Sequence, residues 1–143
     1  MQLTDTAAIV TGGASGLGAA TAAALAAQGA RVFALDLPDA VGNAPDVSGV
    51  TYLPTDVTSA EEVSAAVRTA ASAGVPLRTV VNCAGIGPSQ RILSRGNVHD
   101  VGLFAKVVQI NLVGTFTVLV IVYLFLNLLV DLLYGLLDPR ISH

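Results

Sequence analysis

Thr11-Gly12-Gly13-Ala14-Ser15-Gly16-Leu17-Gly18 follows the short apolar run Ala7-Ala8-Ile9-Val10 and opens an alanine-rich segment that ends at Gln28. The run suits a buried strand entering a turn. Gly16 to Gln28 reads as a helix with Leu17, Thr21 and Leu25 on one side, closed by Gly29 at its C-cap. Between a strand and a helix, glycines permit a tight turn and let backbone N–H groups approach a pyrophosphate at the helix N-terminus. An ordinary strand-to-helix turn is the plain alternative, and the next segment weighs against it.

Arg31 to Asp36 reads as a second strand, and it ends in an acid eighteen residues after Gly18. That is the distance at which a dinucleotide-binding unit places its ribose ligand. A carboxylate there accepts hydrogen bonds from the adenosine ribose hydroxyls and repels a 2′-phosphate, which points to NAD over NADP. Val50 to Leu53 reads as a third strand, Ser59 to Ser72 as a helix opening on a Ser-x-x-Glu capping box, and Leu77 to Asn82 as a fourth strand. Glu61 and Glu62 fall in the first turn of that helix, where the dipole favours acids. Strands alternating with helices imply crossover connections, so the unit reads as α/β with a doubly wound parallel sheet.

Composition excludes several classes. The 143 residues are 53% hydrophobic and 12% charged, with a net charge of −3 and a mean hydropathy of +0.71, which is not the make-up of a disordered chain. Seven basic against ten acidic side chains give no electrostatic footprint for nucleic acid. The lone Cys83 rules out a disulfide framework, and as a nucleophile it is outweighed by its reading as a small core residue at a strand end. His99 and His143 are isolated in sequence, so no metal site is expected. The N-terminus, Met1-Gln2-Leu3-Thr4-Asp5, has no basic segment ahead of an apolar one, and the expected location of this unit is the cytoplasm.

The residues quoted so far resemble the short-chain dehydrogenase/reductase family, whose nucleotide turn reads Thr-Gly-x-x-x-Gly-x-Gly. The resemblance covers roughly residues 3 to 117 and extends to Asp56-Val57, to Asn82-Cys83-Ala84-Gly85, and to Asn111 within Gln109-Ile110-Asn111-Leu112-Val113-Gly114-Thr115-Phe116. It implies NAD as cofactor, with Thr11, Gly12, Ser15, Gly16, Leu17 and Gly18 at the phosphates and Asp36 with Leu37 at the ribose. It also implies Asp56 with Val57 at the adenine, and Asn82, Cys83, Ala84 and Gly85 supporting the sheet beside the cofactor. Family members that prefer NADP often carry Arg or Lys where this chain has Ser15. Asn111 corresponds to a member of the family's catalytic tetrad; its plain alternative is an asparagine that caps or kinks a helix. The implied fold is a partial Rossmann fold, a parallel sheet of order 3-2-1-4 with helices on both faces, followed by a long apolar C-terminal helix.

Within the family, Leu35-Asp36-Leu37-Pro38 and Val81-Asn82-Cys83-Ala84-Gly85-Ile86 resemble the subgroup of type 2 3-hydroxyacyl-CoA dehydrogenases. That likeness implies hydride transfer between NAD and a secondary alcohol such as a 3-hydroxyacyl-CoA. The family's base is a Tyr with a Lys four residues later and a Ser ahead of both. Lys106 is the sole lysine here, and four residues before it stands Gly102; Tyr52, Tyr123 and Tyr134 are followed at that spacing by Asp56, Asn127 and Asp138. Without such a group, turnover by this chain alone is expected to fall by at least ~10²–10⁴-fold.

Residues 107–130 carry no charge, and at ~1.5 Å per residue they reach about 36 Å, enough for a hydrocarbon core of about 30 Å. From Asn127 to Arg140 the chain resembles the C-terminus of dipeptide and oligopeptide ABC transporter permeases. The organisation expected is therefore a nucleotide-binding unit over residues 1–116 and a hydrophobic helix with a permease-like tail over 117–143. Two fates compete: residues 107–130 as a span anchoring the chain to the inner membrane, or residues 98–130 as a continuation of the long helix that in the resembled family packs against a second copy at a dimer interface. As a membrane span the chain would have an inverted topology relative to those permeases, since Arg91, Arg95 and Lys106 before it and Arg140 after it prefer the N-terminal side inside. The fourth strand is also expected to be an open sheet edge, a second route to homo-oligomers and a cause of poor solubility.

Overall fold

The computed structural model describes residues 3–88, 92–94, 97, 98 and 100–137. Arg91, Arg95, His99, Asp138-Pro139-Arg140 and His143 lie outside the described residues. Four strands form one parallel sheet: β1 (Ala7–Thr11), β2 (Arg31–Asp36), β3 (Val50–Pro54) and β4 (Leu77–Asn82), in the spatial order β3-β2-β1-β4. That is the expected order, and the alternation of strands with crossover helices produces it.

The core follows from the period of two along each strand. Ala8 and Val10 of β1 join Val32 and Ala34 of β2 on one face, under Ala22, Leu25 and Ala26 of helix α1 (Gly16–Ala27). Ile9, Phe33 and Leu35 face the other way, under Val63, Ala66, Val67 and Ala70 of helix α3 (Ala60–Ala71). Small alanines on α1 let that helix lie close to the sheet. It ends in a Schellman motif: Gly29 has φ +87°, its amide donates to Ala26 O at 2.9 Å, and the Ala30 amide donates to Leu25 O at 3.1 Å.

Three local features differ from the sequence reading. Pro38–Gly42 forms a short helix, α2, started by proline at its first position. Residues Leu93–Ser94 (β5) and Asn97–Val98 (β6) make a small antiparallel pair. The capping box of α3 is only half formed. Ser59 Oγ accepts the Glu62 amide at 3.3 Å, but the Glu62 carboxylate reaches back past Ser59 to the Asp56 amide at 2.8 Å, because the Ser59 amide already donates to Asp56 O.

From Val101 the chain is one helical rod: α4 (Val101–Val108), a π-helical turn (Gln109–Gly114) and α5 (Thr115–Leu137). The expected long apolar helix is present, and it passes position 117 without a break. Val118 and Val122 are buried in the core beside α3, with Ile121 and Phe125 packed against them. Farther along, Leu124, Leu126, Leu128, Leu129, Val130 and Leu132 are exposed. By length and composition alone, Val101–Leu132 could cross a membrane; its most apolar 18-residue stretch has a mean hydropathy of 2.4. Among the described residues β4 has a strand neighbour on one side only, so it is an edge of the sheet.

Candidate nucleotide site

The C-terminal ends of parallel strands leave a crevice where loops leave in opposite directions. Here the ends of β1, β2, β3 and β4 enclose a cavity of about 650 Å³, within the roughly 300–1,000 Å³ typical of small-molecule sites. Gly12, Ser15, Gly16, Leu17 and Gly18 form its floor, Asp36 and Leu37 one side, Asp56 and Val57 the next, and Cys83, Ala84 and Gly85 another. The structure brings all of these expected residues together.

The turn is shaped by close approach. A side chain on Gly18 would overlap the Gly12 carbonyl oxygen, and one on Gly12 would sit 2.8 Å from the Ala84 amide nitrogen. Gly16 has φ +52° and nothing within 4 Å of where a Cβ would stand, so space lies open over the start of α1. Leu17 is 84% exposed. An anionic group can thus come down on the first amides of α1 without meeting a side chain, which is the cradle a pyrophosphate needs. Ser15, the N-cap residue, makes no side-chain capping bond, so its hydroxyl is uncommitted to the helix.

Asp36 has two structural partners. Its Oδ2 accepts the Ala14 amide at 3.0 Å and its Oδ1 accepts the Leu37 amide at 2.9 Å. Each carboxylate oxygen keeps a further lone pair that ribose hydroxyls can use. Asp56 Oδ1 accepts from the Thr58 amide at 2.9 Å and the Thr58 hydroxyl at 2.8 Å, which leaves Oδ2 for a donor in the cavity.

Thr11 and Asn82 do not line the cavity; they hold its floor to its wall. Thr11 is 1% exposed. Its Oγ1 accepts the amides of Cys83 at 3.2 Å and Ala84 at 3.1 Å and donates to Asn82 Oδ1 at 3.4 Å. Cys83 is a free, half-buried thiol on the cavity wall. Asn111 also stands behind the lining. Its Oδ1 accepts the Ile86 amide and its Nδ2 donates to Ile86 O, both at 2.9 Å. That twin bond fixes the loop after β4 to the π-helical turn. Gly114 completes the fit, since a Cβ there would lie 2.8 Å from Val57 Cγ2.

Leu35, Thr55, Thr58, Ile86, Lys106, Gln109 and Ile110 also line the cavity, and the sequence reading did not place them there. Lys106, Gln109 and Ile110 recur at helical spacing three and four, the one sequence signal that could have put them on a shared face. Among the described residues no group of His, Cys, Asp and Glu could hold a metal ion.

A profile of the family described as short chain dehydrogenase matches residues 6–128. Among curated proteins, the chain is 45% identical over 116 residues to "3-hydroxyacyl-CoA dehydrogenase type-2" of Drosophila melanogaster, covering 78% of this chain and 46% of that one. It is 40% identical over 117 residues to the Homo sapiens protein of the same name, covering 78% and 45%. A solved short-chain type dehydrogenase/reductase from Mycobacterium ulcerans superposes with a TM-score of 0.69 at 32% identity, covering 85% of this chain and 46% of the other. The chain thus spans about half the length of the curated relatives it matches.

Proposed function

The chain belongs to the short chain dehydrogenase family, and from that premise we propose that its cavity binds NAD, as the nucleotide-binding half of an oxidoreductase acting on a secondary alcohol. The observation that carries this reading is the joint placement of the open turn over α1 and the Asp36 carboxylate on one cavity. NAD, when bound, supplies the hydride acceptor. The first amides of α1 and the Ser15 hydroxyl would hold the pyrophosphate, Asp36 the adenosine ribose, and Asp56 Oδ2 with Val57 the adenine. Among the described residues no cation pairs with Asp36; Ser15 and Leu37 are its neighbours in the turn and after the strand. That favours NAD over NADP.

The names of the two relatives support a 3-hydroxyacyl-CoA as the alcohol. For these 143 residues alone we propose binding without turnover, because they contain no Tyr-x-x-x-Lys pair and Asn111 is engaged with Ile86. NADH fluorescence titration beside a 3-hydroxyacyl-CoA oxidation assay tests both parts. Saturable NADH binding without NADH production is expected. Absence of binding overturns the cofactor reading, and turnover overturns the inactive one.

For residues 107–130, burial of Val118 and Val122 against α3 supports a helix packed on its own domain over a membrane span, since a span would draw both side chains out of the core. We read residues 1–116 as the nucleotide-binding unit. The remainder, 117–143, we read as the helix and its permease-like tail; among the described residues the exposed Leu124, Leu128 and Leu132 of α5 offer a surface to a second copy.

A further inference from the structure

Lys106 lies in the last turn of α4. With Gln109 and Ile110 it lines the nucleotide cavity, whereas the half-buried Val107 and Val108 do not. The twin bond between Asn111 and Ile86 ties the same rod to the loop after β4. The charges around the cavity are unbalanced. Asp36 and Asp56 contribute two carboxylates, and Lys106 is the sole cation among the described lining residues. The side chain is exposed, and no ion pair or hydrogen bond engages its ammonium among the described residues. α4 runs without a break into the π-helical turn, so no helix terminus accounts for a lysine at this position.

A dinucleotide brings two phosphate charges into a space that already holds two carboxylates. The glycine turn answers them with backbone N–H groups alone. An ammonium on a four-carbon stem is a compact point charge that suits phosphate. We propose that Lys106 is the counter-charge this cavity supplies to the phosphates of its ligand, delivered from the helical wall rather than from the glycine turn. This inference rests on the reading of the cavity as a dinucleotide site and adds to it a residue that sets affinity.

Lys106→Gln and Lys106→Arg test it, because an exposed side chain without partners is removable without unfolding the chain; equal thermal midpoints would establish that. NADH is titrated directly, and ADP and adenosine are measured by displacement of NADH. Lys106→Gln is expected to weaken NADH and ADP by about three- to fivefold at low salt, the size of one partly exposed charge pair. The gap should close at about 0.5 M salt, where screening removes it. Adenosine, which has no phosphate, should be unaffected, and Lys106→Arg should retain most of the affinity. Unchanged NADH binding in Lys106→Gln overturns the proposal while leaving the cavity reading intact. An equal loss for adenosine overturns it too, since Lys106 would then act by packing. Failure of the unmodified chain to bind NADH overturns both readings.

Discussion

The Asp36 carboxylate accepts the Ala14 backbone amide at 3.0 Å, so the acid expected to meet the ribose also braces the turn expected to meet the pyrophosphate. One side chain ties the end of β2 to the loop after β1. Removing it therefore affects affinity and specificity together. Asp36→Ala should weaken NADH binding, since a lost charged acceptor costs about 1.5–3 kcal/mol. Unmodified protein should prefer NADH to NADPH by at least about tenfold, the equivalent of ~1.4 kcal/mol. Asp36→Ala with Leu37→Arg should narrow or reverse the preference. Equal affinity for both cofactors before mutation would show that Asp36 does not meet the ribose.

Two glycines of the turn should respond differently to alanine. At Gly18 a Cβ meets the Gly12 carbonyl, so Gly18→Ala must shift the turn against α1 and should cost stability and NADH binding together. At Gly16 there is open space but φ is +52°, and the cost is the left-handed backbone alone, about 1–2 kcal/mol. Denaturant midpoints should rank the unmodified chain above Gly16→Ala and Gly16→Ala above Gly18→Ala. The reverse order of the two variants would mean that the turn is looser than the contacts indicate.

Thr11→Val keeps the shape of a buried side chain and deletes its hydroxyl. The Ala84 amide and Asn82 Oδ1 then lose a partner, which should cost about 1–3 kcal/mol. Thr11→Ser keeps the hydroxyl and loses a methyl, for about 0.8 kcal/mol. Urea unfolding of the pair separates hydrogen bonding from packing, and a larger loss in Thr11→Ser would refute the latch.

Burial raises the Tyr52 hydroxyl above its ordinary pKa, and Asp46 adds to the shift. The folded chain therefore holds this proton after the unfolded chain has lost it. Stability contributed here is complete below about pH 10 and declines as pH rises through the raised value. Tyr52→Phe should show a shallower decline in unfolding free energy above about pH 10. Identical slopes would place the hydroxyl in free contact with water.

The sheet is legible in sequence because each of its strands is a short run between turn signals. β2 and β4 have the bounds read from the residues, and β1 and β3 extend by one residue each. The turn and Asp36 are legible because spacing alone carries them. What escapes is whatever depends on partners distant in sequence. Thr11 reads as a cofactor residue, and the hold of its hydroxyl on the loop after β4 leaves no trace in the sequence. Asn111 reads as a catalytic or capping residue, its pairing with Ile86 is 25 residues distant and so invisible to local pattern, and a π-helical turn has no signature that a period of 3.6 would reveal. Glu62 reads as half of a capping box, yet a second acceptor at Asp56 O leaves it free to reach farther back.

The latch between Thr11 and Asn82 joins residues 71 apart in the chain, and this separation sets the order in which the protein can assemble. β1 and β2 find each other across a single helix, and β3 follows across another. The pairing of β1 with β4 must wait for the intervening segments to be in place, the kind of non-local closure that slows parallel folds. Until it happens, the turn and Asp36 face water, with no Cys83-Ala84-Gly85 wall. A nucleotide that needs this wall binds the finished fold more tightly than the partly paired sheet. Its effect on the kinetics should fall on unfolding, while the rate of folding stays a property of the bare chain.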